Sequence, residues 1–225
     1  PQDFLQAGSS DAISAEEIEY VIEVSNAHFN TQVSPSDVVS SYSGVRPLMD
    51  DESDNAQAVT RDYTFDVDAP VGKAPLLSIF GGKITTYRKL AQSAVDAVCE
   101  FFPEVGPQWT AEKPLPGGDF DTKDALEATL SSRYPWLSEN IIKRYVRCYG
   151  TIALDILSDT KNLEGMGEHF GAGLYSIEVD YLVQKEWAIT VEDIIWRRTK
   201  LALFMKSEEK AKLAEYLAAA SVPII

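Results

Sequence analysis

Cysteine and histidine are scarce: 225 residues hold two of each, Cys99 and Cys148, His28 and His169. The cysteines lie far apart, each in a helix-like run. They are expected as free, buried thiols of a reducing compartment, not as a disulfide. No C-x-x-C or H-x-x-x-H occurs, so no metal site is expected. Cations are also under-represented. Lys and Arg total 20 against 35 Asp and Glu, a net charge of −15. That balance excludes wrapping around nucleic acid, which needs clustered Lys and Arg. It also speaks against broad docking of this part of the chain on anionic lipid. No apolar run reaches the ~18 residues that span a bilayer. The opening segment lacks the basic start and apolar centre of a signal peptide. The chain begins with Pro1 and not Met, so the expectation is a piece of a longer protein.

Several glycine motifs are absent too. There is no G-x-G-x-x-G dinucleotide fingerprint and no G-x-S-x-G nucleophile elbow. A Walker A loop fails around Gly82-Lys83, because Leu77 and Ile84 stand where Gly and Ser/Thr are required. An acidic run, Asp50-Asp51-Glu52-Ser53-Asp54, fails as a calcium loop, with Asn55 in the place of Gly and Arg61 in that of the bidentate Glu. It reads as a solvated loop.

What the chain does have is Leu76-Leu77-Ser78-Ile79-Phe80-Gly81-Gly82-Lys83-Ile84-Thr85-Thr86-Tyr87-Arg88. This reads as a strand buried on both faces, a Gly-Gly turn and a helix from Ile84 to about Phe101. Two glycines permit a sharp bend and close approach of a ligand to the backbone. The N–H groups of a helix's first turn have no internal partners and favour an anion. A plain strand-to-helix connection is the competing reading. Lys83 is disfavoured by the helix dipole at that place, a local conflict that a bound anion would relieve. Arg46, in Ser43-Gly44-Val45-Arg46-Pro47, sits on a turn at a strand end. If the two cations converge they form a phosphate clamp, Arg as a planar fork and Lys as a point charge. Otherwise both point to solvent.

Along the chain, Ser14-Ala15-Glu16-Glu17 is a capping box opening an amphipathic helix to about Phe29. A strand is expected from Val38 toward Leu48 and another from Ala58 to Val67. Residues 103–120 are rich in Pro and Gly and read as a linker. The domain boundary is placed within it, giving 1–104 and 105–225. Beyond it everything reads helical: about 121–133, 138–149, 151–158, 174–188, 191–205 and 207–220. Ser138 and Thr190 are expected N-caps and Gly150 a C-terminal stop. The pattern Val191, Ile194, Ile195, Arg198, Leu201, Ala202, Met205 makes one apolar face with an arginine in it. No internal repeat is visible.

Three runs carry a family likeness: Ser43-Gly44-Val45-Arg46-Pro47-Leu48, Phe80 to Leu90, and Glu192-Asp193-Ile194-Ile195-Trp196-Arg197-Arg198-Thr199-Lys200-Leu201. In order and spacing the chain, from about Ser14 on, resembles the C-terminal half of FAD-dependent (aerobic) glycerol-3-phosphate dehydrogenase. The resemblance implies an α+β chain: an incomplete mixed α/β part of a flavoprotein oxidoreductase, followed by an all-α C-terminal domain. It implies a parent that oxidises sn-glycerol 3-phosphate to dihydroxyacetone phosphate, passing hydride to FAD and electrons to a membrane quinone. Arg46 and Lys83 would contact substrate, and Gly81, Gly82, Lys83, Ile84 and Thr85 would line the flavin. A bacterial parent would sit peripherally on the cytoplasmic face of the inner membrane, attached through an N-terminal part. Homodimerisation is left open. The family's G-x-G-x-x-G segment has no counterpart here, so the chain alone is expected to be soluble, without FAD and inactive. Two other readings stay open: a non-catalytic helical interaction or stabilising module, and a parent that is an oxygen-reducing glycerophosphate oxidase.

Overall fold

The computed structural model describes residues 13–42, 63–102, 104 and 106–219. The chain divides into two compact units, Pro1–Ala111 and Glu112–Ile225.

In the first unit, helix α1 (Ala15–His28) starts at the expected capping box. The Glu17 N–H donates to Ser14 Oγ and the Ser14 N–H to the Glu17 carboxylate, satisfying two helix-end donors reciprocally. The helix stops where Phe29 turns extended. The Asn26 side chain then receives the Val33 N–H and donates to the Val33 carbonyl, folding the next segment back. The strand expected from Val38 is not formed over the described residues 38–42, because extended backbone without a neighbour has no ladder to join. Its continuation through Leu48, the acidic run and Arg61 lie outside the described residues.

Strands β1 (Tyr63–Asp68) and β2 (Leu76–Gly81) form an antiparallel hairpin, in register from Tyr63↔Gly81 to Asp68↔Leu76. Its turn closes with the Lys73 N–H donating to the Pro70 carbonyl, and Gly72 adopts φ +77°. β2 does not bury both faces as its apolar run suggested. Leu76, Ile79 and Phe80 are exposed, since among the described residues β1 is its one neighbour in the sheet and helix α2 (Tyr87–Cys99) the helix packed against it. That helix is preceded by a single 3-10 turn, Ile84–Thr86, where the sequence suggested α-helix. The linker is held along α2: Arg88 donates to Gln92 and Thr110, Gln92 donates to Gln108, and Gln108 donates to Asp96. No described residue of this unit is fully buried.

The second unit has its own core. α3 (Lys123–Arg133) packs on α4 (Glu139–Tyr149), α4 on α5 (Ile152–Leu157), and α5 on α6 (Ser176–Glu186). The amphipathic pattern is realised: Leu126 and Leu130 of α3, Ile142 and Val146 of α4, and Val179 and Leu182 of α6 all face inward. Thr122 caps α3 through Ala125. Thr190 and Asp193 form a reciprocal cap: the Asp193 N–H donates to Thr190 Oγ1, while the Asp193 carboxylate accepts from Ile189 and Thr190. Ser138 stands at the N-cap of α4 but its side chain makes no cap bond. Gly150 ends α4 as expected.

Two elements depart from an all-helical domain. A small hairpin, β3 (His169–Gly171) with β4 (Leu174–Tyr175), precedes α6. Gly165, Gly167, Gly171 and Gly173 interrupt helix formation there, and the last three take positive φ. The single helix expected over 191–205 is instead a π-turn, Asp193–Arg198, then a 3-10 turn, Leu201–Leu203. Both the N–H and the hydroxyl of Thr199 donate to the Ile194 carbonyl five residues back, which widens the last turn. Lys200 then takes φ +61°. Helix α7 (Ser207–Ala219) closes the unit against β3. Cys99 and Cys148 are free as expected, but half-buried and exposed, not buried. Among the described residues no helix is long and apolar enough to cross a membrane, and no His, Cys, Asp and Glu cluster could hold a metal.

Candidate functional site

The Gly-Gly turn follows from the hairpin. β2 pairs with β1 as far as Gly81, and the chain must then reverse to lay α2 on the sheet. Gly81 and Gly82 do this at φ +74° and +99°, where a side chain is strained. A Cβ on Gly82 would come within 2.7 Å of Leu90 Cδ1. Glycine here therefore lets α2 sit close to the turn. Lys83 takes extended backbone as the cap of the 3-10 turn, and its carbonyl accepts from the N–H and the hydroxyl of Thr86. Lys83, Ile84 and Thr85 are all exposed, Ile84 to 89%. An isoleucine that far open belongs to no core in this chain. Among the described residues Lys83 has no ion-pair partner. Gly81, Gly82, Lys83, Ile84 and Thr85 thus form one continuous open rim. Arg46 lies outside the described residues, and of the two-cation clamp Lys83 alone is described.

A second polar constellation, in the other unit, was not singled out from the sequence. Glu178 is fully buried. The Arg144 guanidinium grips both its oxygens, at 2.5 and 2.7 Å, and donates to the Gly173 carbonyl; the Tyr149 hydroxyl also donates to Glu178. Burial and the carboxylate beside it push the Tyr149 hydroxyl well above the ordinary tyrosine range. Burial works against the Arg144 charge, and Glu178 more than compensates, so its guanidinium is held more firmly protonated than usual. Arg144 also lines a cleft of about 740 Å³ with Asn140, Arg147, His169, Phe204 and others. Asn140, Arg144 and Arg147 fall at i, i+4 and i+7 along α4. That spacing was legible, but the opposing hairpin was not foreseen.

Comparison with known proteins supplies what geometry cannot. Residues 108–221 match the family described as the C-terminal domain of alpha-glycerophosphate oxidase. The chain is 49% identical, over 92% of its length, to a glycerol-3-phosphate dehydrogenase of Pseudomonas aeruginosa, of which it covers 40%. It is 44% identical, over 91%, to the aerobic glycerol-3-phosphate dehydrogenase of Escherichia coli, covering 41% of that protein. A D-erythritol 1-phosphate dehydrogenase of Brucella abortus is 43% identical over 95% of the chain and is covered to 43%. The chain thus spans about two fifths of the length of these curated relatives.

Proposed function

Because the chain belongs to the glycerol-3-phosphate dehydrogenase and glycerophosphate oxidase family, of which it carries the C-terminal portion, we propose that the complete protein oxidises sn-glycerol 3-phosphate to dihydroxyacetone phosphate. FAD, when bound, supplies the hydride acceptor, and a membrane quinone takes the electrons onward. The chain's own residues fit one end of that cofactor. The Gly81–Thr85 rim is open, and the first N–H groups of its 3-10 turn have no partners within the turn. No residues here fit the ADP end, since G-x-G-x-x-G is absent.

The observation that carries this reading is Lys83: exposed, without an ion-pair partner among the described residues, and placed directly after the Gly81-Gly82 reversal. Its ammonium supplies one positive charge to the substrate phosphate. Arg46 supplies the planar fork. Gly81 and Gly82 supply backbone beside the flavin, Ile84 an apolar side chain and Thr85 a small polar one. The exposed apolar side chains Leu76, Ile79 and Phe80 are then interior surface of the complete flavin-binding domain. The relatives' names favour a dehydrogenase over an oxygen-reducing oxidase. The enzyme would associate peripherally with the cytoplasmic face of the inner membrane through segments other than these, and the helical unit would stabilise it.

The test uses the complete enzyme. Arg46→Ala and Lys83→Ala should each lower kcat/KM for glycerol 3-phosphate roughly ten- to hundredfold, the effect of losing one charge-assisted contact. Arg46→Lys should also be poor, and flavin content should survive Arg46→Ala. Steady-state kinetics of both alanine variants indistinguishable from the parent would sink the assignment. The chain by itself should show neither a flavin absorbance band nor dye reduction with glycerol 3-phosphate.

A further inference from the structure

The cleft on α4 is unlike the rest of the surface. The chain has 35 acidic residues against 20 basic, yet among the described residues no Asp or Glu lines this cleft. Its polar side chains are Ser138, Asn140, Arg144 and Arg147 from the α4 side and His169 and Tyr175 from the hairpin opposite. Arg147 is exposed and makes no ion pair among the described residues. In an acidic chain an unanswered arginine at the mouth of a concave site is a local positive island. Arg144 is anchored from behind: Glu178 and the Gly173 carbonyl hold its guanidinium flat, and its charge lies over the Tyr145 ring at 5.1 Å. Three of its N–H groups are engaged, and the two left over have no acceptor among the described residues. The His169 ring is steadied by Tyr175, centroids 4.6 Å apart, and its main-chain carbonyl accepts from Lys212. Arg144 and the His169 ring are therefore fixed before any ligand arrives, which limits the ordering cost of binding.

We propose that this cleft, lined wholly by residues of the second unit, binds a small phosphate monoester. A planar carboxylate would be satisfied by one guanidinium fork. Here donors of four kinds stand on two walls: guanidinium, amide, hydroxyl and imidazole. That set suits an oxyanion presenting several oxygens in different directions. The volume, about 740 Å³, lies in the range of small-molecule sites and exceeds the phosphate group alone. Ile141, Ala172 and Phe204 provide the apolar wall for a short carbon body.

The chain's two histidines make the test direct. Imidazole proton resonances are followed by NMR while inorganic phosphate, or glycerol 3-phosphate, is titrated against chloride at matched pH and ionic strength. His169 should shift along a saturable curve and His28, on α1, should not. Arg147→Ala should weaken binding about tenfold or more, and Arg147→Lys by less; circular dichroism checks that both fold. Lys83→Ala should leave the His169 curve unchanged, which separates this site from the proposed catalytic rim. The proposal is overturned if His169 moves no more with phosphate than with chloride. It is equally overturned if Arg147→Ala binds as the parent does, or if Lys83→Ala alone abolishes the shift.

Discussion

A carboxylate with no access to solvent needs its charge answered by its neighbours, and Glu178 accepts three hydrogen bonds from two of them: Arg144 on both oxygens and the Tyr149 hydroxyl. Removing one partner leaves a charge stranded. Arg144→Leu should therefore lower unfolding stability by about 3–5 kcal/mol, read as a drop in urea midpoint. Tyr149→Phe should lower it by about 1.5–3 kcal/mol, the worth of one hydrogen bond to a charged group. The double change Arg144→Met with Glu178→Leu should be milder than Arg144→Leu alone, because no orphan charge remains. An Arg144→Leu variant as stable as the parent would show that this pair does not support the fold. None of this was legible in the sequence, because Glu178 lies 34 positions from Arg144 and a lone arginine on a helix looks solvated. Arg198 was noticed for breaking an apolar stripe. Its partner could not be foreseen, since the closest contacts are to a main-chain carbonyl, Glu186 O, left open at the end of α6, with the Glu186 carboxylate 3.8 Å away.

At the scale of elements, what local chemistry dictates was readable. The Ser14–Glu17 box, the Thr190–Asp193 cap and the Gly150 stop all form. Strand pairing and the π-turn were not readable, because they depend on a neighbouring chain segment or on one side chain competing for a carbonyl. Gly150 shows how tightly one stop is made. It adopts φ +56° and ψ −132°, a region that disfavours any residue with a Cβ. A Cβ there would also collide with the Gly117 carbonyl oxygen, which accepts the Thr151 N–H at 3.0 Å. Gly150→Ala should therefore cost at least the 1–3 kcal/mol of a strained backbone. It should also loosen the 117–120 segment, seen as faster amide exchange at Thr151. A fully tolerated alanine would mean that the α4–α5 junction can be rebuilt without this crossing. Asp193 makes a contrasting point. The N–H groups of Thr190 and Ile189 and the Thr190 hydroxyl hold its carboxyl well below the ordinary range. Its cap is therefore present above the unfolded value of about 4 and fades only as the pH falls further. Asp193→Asn should flatten that acid limb.

The whole chain is uneven in a way composition concealed. An apolar fraction of 45% is ordinary for a protein with a real core, yet every buried side chain among the described residues lies beyond Glu112. The reason is visible in β2 and α1, whose apolar residues were read as core but have little to pack on in this chain. Calorimetry should accordingly show one cooperative transition with the enthalpy of roughly 110 residues, roughly 75 kcal/mol near 60 °C, and not twice that. The second unit also sets how the molecule meets alkali. Burial, and then the nearby Glu178 charge, push the hydroxyls of Tyr145 and Tyr149 far above the ordinary range. A folded value raised above the unfolded one, about 10, means that this stability is complete below about pH 10 and is lost as the pH climbs beyond it. The unfolded chain then releases protons that the folded one keeps, at about 1.4 kcal/mol per pH unit for each tyrosine, or about 3 for the pair. Urea midpoints measured through that range should fall with this slope. Tyr145→Phe, which removes a hydroxyl with no hydrogen-bond partner among the described residues, should roughly halve it while leaving neutral stability near that of the parent. An alkaline limb equally steep in Tyr145→Phe would place the titrating groups elsewhere than in this cluster.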